Sequence, residues 1–145
     1  MKTILDPLFT HLELLLRIVA AMQIGLAVLS LCLPRILDWK ADIARMSLLV
    51  RQVFEIHSWF IALTLVIWGV LTWHFAPEMA RAPTELSMWL CGAIGVFWGI
   101  RSVMQWTHYS ASHWRGNPGR TVIHWLLFFG YSAWAVLYFI TAFRK

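Results

Sequence analysis

Apolar positions in this chain fall into four long blocks rather than the short alternating or amphipathic runs of a soluble domain. The blocks run from about Pro7 to Leu33, Ser47 to Phe75, Thr84 to His108 and Arg120 to Phe143. Each exceeds the ~20 residues a helix needs to cross the hydrocarbon of a bilayer. Helix-end signals separate them. Asp6-Pro7 offers an N-cap acceptor followed by a first-turn proline, and Pro34 marks the end of the first block. Ala76 to Pro83 reads as a short turn with two prolines, and Asn117-Pro118-Gly119 fits a type II turn. Thr84 is placed to cap the third helix, with Glu85 at the positive end of its dipole. The expected fold is all-α: an integral membrane four-helix up-down-up-down bundle, one domain over residues 1–145, with helices at about 7–33, 47–75, 84–108 and 120–143. The connector 34–46, with mixed charge and Trp39, suits an interfacial loop or short helix.

A cleaved signal peptide would have an apolar core of only ~7–15 residues and a small-residue cleavage site. The first block is longer and ends in Leu-Cys-Leu-Pro-Arg, so it reads as a retained membrane helix. Composition agrees. The 145 residues are 60% hydrophobic and 13% charged, against roughly 25% charged in soluble domains. The formal net charge of +5 could suit nucleic acid, but the basic residues are scattered and no nucleic-acid motif is present. Membrane lipids are the expected partners, together with other membrane subunits or further copies of the chain. Cys32 and Cys91 form no CxxC and are expected near opposite surfaces, without a disulfide. Arg35, Lys40, Arg45, Arg51, Arg115 and Arg120 lie toward one side, and Lys2, Arg81, Arg144 and Lys145 toward the other. The positive-inside rule then puts connectors 34–46 and 109–119 in the cytoplasm, with the bundle in a bacterial inner membrane.

Polar groups inside such blocks are candidate functional sites, because hydrocarbon cannot hydrogen-bond them. Glu13 and Arg17 have the favourable i,i+4 order for a pair near the head groups, and His11 and His74 are expected at the periphery. Arg51, Glu55 and Ser58 share one face of the second helix, and His57 another. Gly92, Gly95 and Gly99 lie together on the third, where close helix packing explains them as well as dimerisation does. Arg101, Gln105 and His108, spaced i, i+4, i+7, share the roughly opposite face. On the fourth helix His124, Phe128, Tyr131, Ala135 and Tyr138 form the inward side. In an up-down bundle, Glu55 and Arg101 lie ~12 and ~10 Å from the ends of their helices on one membrane side, so the two are expected to pair.

The candidate ligand-binding residues are therefore Arg51, Glu55, Arg101, Gln105, His108, His124 and Tyr131. A metal ion would be repelled by Arg51 and Arg101, and no HxxxH or ExxH is present. Haem b could take His108 and His124 as axial ligands, with propionates toward Arg115 or Arg120. A quinone or an anionic lipid head group suits the donor-rich lining best. No G-x-S-x-G, Walker loop, HExxH or dinucleotide fingerprint appears, and no residue is assigned a catalytic role. In size and polarity the chain is similar to small four-helix membrane subunits of respiratory enzymes. The reading is a membrane protein with an intramembrane polar pocket for a quinone-like, haem or anionic lipid ligand, as a subunit of a redox complex. The alternative is a non-catalytic accessory subunit whose polar groups only hold helices together.

Overall fold

The apolar blocks become helices, and the helices overrun the prolines that were expected to end them. In the computed structural model, which describes residues 2–109 and 118–144 with side chains from His11 onward, α1 spans Lys2–Ile36, α2 Lys40–Arg45, α3 Leu48–Arg81, α4 Glu85–Thr107 and α5 Pro118–Phe143. Among the described residues, all but α2 are long and apolar enough to cross a membrane.

Each overrun has the same cause. A proline removes one backbone donor and crowds the carbonyl four residues back, yet a long helix continues past it when the neighbouring residues hold the helical state. Thus α1 already contains Asp6-Pro7 and passes Pro34, closing with Leu37 N–H on Leu33 O at 2.9 Å and Trp39 N–H on Pro34 O at 3.0 Å. Likewise α3 contains Pro77, so the expected turn at 76–83 shrinks to Ala82–Thr84. Pro118 opens α5, where a first-turn proline sacrifices no helical bond and brings a φ suited to the helix. Asn117, the other half of the expected turn, lies outside the described residues, as do His113, Trp114 and Arg115. The cap at Thr84 forms as the sequence suggests. Ser87 N–H donates to Thr84 Oγ1 at 3.2 Å, and Thr84 N–H donates to Ser87 Oγ at 2.9 Å.

The chain divides into two compact units, residues 1–76 and 77–145. In the first, α1 buries a stripe of Leu16, Ala20, Gln23 and Ala27, spaced by three or four as a helix face requires. It meets α3 at Gly69. A Cβ built there would lie 2.9 Å from the Ala20 carbonyl oxygen and 2.7 Å from an Ile24 side-chain carbon. Arg17 bonds Glu13 at 3.1 Å, giving the expected pair, and its guanidinium lies 5.3 Å from the Trp73 ring centroid. His11 and His74 are exposed. Gly69→Ala sets better helix propensity, worth up to ~1 kcal/mol, against overpacking of ~1–3 kcal/mol. The carbonyl contact cannot yield as a flexible side chain would. A net loss of about 1 kcal/mol is expected in thermal unfolding in detergent, and a gain would show that α1 moves aside freely.

In the second unit α4 and α5 form an antiparallel hairpin. Gly95 faces Phe139, Gly99 faces Ala135, Ser102 bonds Ser132 and Gln105 bonds His124, so partners run in opposite order along the two helices. A Cβ at Gly95 would lie 3.1 Å from the Phe139 ring, whereas one at Gly92 meets nothing within 4 Å. Two of the three glycines thus serve packing within the chain. At the other end of the hairpin, Arg144 Nη2 donates to Met79 O at 2.8 Å and to Ala80 O, satisfying carbonyls in the last turn of α3.

Candidate functional site

The polar residues of the second unit gather where α4 and α5 approach the 109–118 connection. Gln105 reaches this position because it continues the buried stripe of Cys91, Ile94, Trp98 and Ser102 along α4. His124 enters from the second turn of α5. Gln105 Nε2 lies 3.0 Å from His124 Nδ1, and both residues are buried. If the amide nitrogen donates, Nδ1 accepts and the ring proton sits on Nε2; with the amide turned, Nδ1–H donates to its oxygen. In both arrangements the other end of the Gln105 amide, only 2% exposed, has no partner among the described residues. The indole N–H of Trp98, two turns back on the same face, is also buried without one.

Arg101 stands beside this pair. Its Nη2 donates to the Tyr109 hydroxyl at 3.3 Å, and its Cζ lies 4.9 Å from the ring centroid of Tyr131. Cation–π attraction of this kind favours seating the guanidinium against the ring. Tyr131 is buried and stacks on Trp98, with centroids 5.1 Å apart and planes 22° apart, while Trp134 meets Trp98 edge-on at 4.6 Å. The Tyr109 ring approaches His124 edge-on at 6.4 Å. Arg101, Gln105, Tyr109, His124 and Tyr131 therefore form one cluster of donors, an imidazole and aromatic faces inside a single helical hairpin.

Three of these contacts were outside the expected set. Tyr109 was placed in the connector, although an amphipathic tyrosine just past a helix that carries a partly buried arginine is a usable signal. Trp98 had only its position in the buried stripe to mark it. Ser102 Oγ and Ser132 Oγ lie 2.7 Å apart, and small polar residues facing each other between apolar helices are a recurrent pairing.

The expected set also includes His108, Arg51 and Glu55. His108 is the C-terminal cap residue of α4, with its backbone N–H on Met104 O at 3.0 Å. It is exposed, and its Nδ1 lies 2.9 Å from Thr107 Oγ1. Arg51 and Glu55 lie on α3 in the first unit, half-exposed and exposed respectively. His57, also exposed, places Nδ1 2.9 Å from the Val53 carbonyl oxygen of its own helix. Among the described residues no three His, Cys, Asp or Glu side chains converge on a metal-sized centre.

A second feature of the hairpin is an apolar groove of about 750 Å³ at its opposite end, running from Glu85 and Trp89 past Gly92 to Val96 and flanked by Phe139 and Phe143. Comparison with protein-family models, curated proteins and solved structures finds no match for this chain.

Proposed function

We propose that the chain is an integral membrane protein whose four long helices cross a bilayer in up-down-up-down order, and that the Arg101 cluster binds the oxygen-bearing ring of a quinone-like ligand. The inward surface is too small for the apolar content. At most 33% of the residues in the apolar window of any long helix are buried inside the protein. Trp59, Phe60, Leu86 and Trp89 are among the large side chains left outside. Water would not tolerate so much exposed apolar surface in a monomer, whereas lipid requires it.

One observation carries the ligand reading: the buried Gln105 amide with one end on His124 and the other unpartnered. Leaving such a group unmade costs ~1–3 kcal/mol, and a ligand oxygen or hydroxyl entering beside it would recover that loss. The guanidinium of Arg101 has one hydrogen bond among the described residues, to Tyr109, and keeps further N–H donors for a carbonyl. Tyr109, 44% exposed beside Arg101, offers an aromatic face at the rim of the cluster for a flat ring. An anionic lipid head group would use the same donors but not the aromatic faces. Haem is less well served, since His108 turns outward onto Thr107. On this reading the protein is a membrane subunit of a redox complex in a bacterial inner membrane, with connectors 34–46 and 109–119 cytoplasmic.

The accessory-subunit reading is favoured by a different observation: Ser102–Ser132 and Glu13–Arg17 are polar contacts satisfied within their own units. Solvent extraction of the purified protein, with mass spectrometry and an absorption spectrum, separates the readings. A co-purifying quinone is expected. A Soret band would favour haem, and a ligand-free protein tightly held in a larger assembly would favour the accessory role.

A further inference from the structure

We propose that the groove on the α4–α5 hairpin is a seat for one acyl chain of an aminophospholipid, with Glu85 accepting hydrogen bonds from its primary ammonium. The inference rests on the membrane reading above but not on the Arg101 cluster, which lies at the other end of the hairpin.

Shape and charge point to the occupant together. The groove, at about 750 Å³, is within the size range of small-ligand sites. From Glu85 to Val96 it follows α4 for ~16 Å, at 1.5 Å rise per residue. Its wall is apolar except at Glu85. Gly92 forms part of that wall, and a Cβ there would meet nothing within 4 Å, so packing within the chain does not explain the glycine. Trp89 and Phe143 are each 74% exposed, so the groove lies open to the surroundings. Glu85 sits in the first turn of α4, the level at which a membrane helix passes into the head-group region. Its carboxylate has no hydrogen bond or ion pair among the described residues, while nearby Glu78 already accepts from Thr84 Oγ1.

A ligand that matches this lining has a long apolar tail and a single cationic donor at one end. Anionic lipids would face repulsion from the carboxylate. Phosphatidylcholine carries the same tails and the same formal charges as phosphatidylethanolamine, but its quaternary ammonium has no N–H to donate. The primary ammonium of phosphatidylethanolamine has three, as a lysine head does. Comparing these two lipids therefore isolates the contact at Glu85 from the apolar contribution of the groove.

The test reconstitutes the full chain in vesicles containing equal amounts of the two lipids with identical acyl chains. Flotation with the vesicles after an alkaline wash first establishes insertion. Native mass spectrometry after mild detergent extraction then counts the lipids retained. Wild type is expected to retain phosphatidylethanolamine over phosphatidylcholine by about 2- to 5-fold, the range of a partly solvated charged contact. Glu85→Gln should abolish the preference while keeping the lipid. Gly92→Phe, at a position where an added Cβ meets nothing within 4 Å, projects a ring into the groove and should remove the retained lipid. Equal retention of both lipids by wild type, a preference that survives Glu85→Gln, or a lipid-free dimer that Gly92→Phe dissociates would each overturn the proposal. Failure to float would overturn the membrane reading itself, and this proposal with it.

Discussion

Alanine at Trp98 is expected to cost about 3–5 kcal/mol, the range for removing a buried tryptophan. Trp98 is 1% exposed and forms the centre of the hairpin's aromatic core, stacked on Tyr131 and edge-on to Trp134. Truncation leaves a cavity that the two large neighbours on α5 cannot close without moving the backbone. Trp98→Phe keeps much of the stacking and removes an N–H that has no partner within the described chain. It should therefore cost far less. Thermal unfolding in detergent reads both variants. If phenylalanine proves as damaging as alanine, the indole N–H has a hydrogen-bond partner, and packing alone does not explain Trp98.

The second large effect concerns Gln105 and His124. His124→Ala leaves the whole Gln105 amide buried without a partner and should cost ~1–3 kcal/mol. Converting both residues to leucine removes the orphan together with its partner, so the double change should cost clearly less than the sum of the single ones. Binding separates the structural and functional roles. A pair that only joins helices leaves ligand affinity unchanged in the double variant. A pair that lines the ligand loses affinity even though the double variant unfolds at nearly the wild-type temperature.

The four long helices were largely readable because their signal is long. Four apolar blocks leave little choice of element, and Thr84 with Glu85 marked the start of α4 within a residue. Proline misled at Pro7, Pro34 and Pro77 because its local penalty of about 3 kcal/mol, a lost donor plus a ring clash with the carbonyl four residues back, does not end α1 or α3. The site was readable only in part. Periodicity put Arg101 and Gln105 on one side and His124 and Tyr131 on the inward face of α5, and the hairpin brings those four together. The same periodicity included His108, which is the C-terminal cap residue of α4 and is exposed. Tyr109 joins the cluster from just beyond the helix, where spacing carries no directional information. The groove could not be read at all. It depends on Phe139 and Phe143 coming alongside Gly92 and Val96, and the register of α5 against α4 is set by the packing of Gly95 and Gly99.

Titration of the detergent-solubilised protein with a short-chain quinone, followed by tryptophan emission, tests the ligand reading most directly. A quinone ring seated at the Arg101 cluster, close to Trp98, should quench emission along a saturable curve. Arg101→Met removes the donor to the carbonyl while retaining apolar bulk and should weaken binding by roughly 10-fold or more. Quenching that rises linearly without saturation, or that is identical in wild type and Arg101→Met, would contradict a quinone site at this cluster.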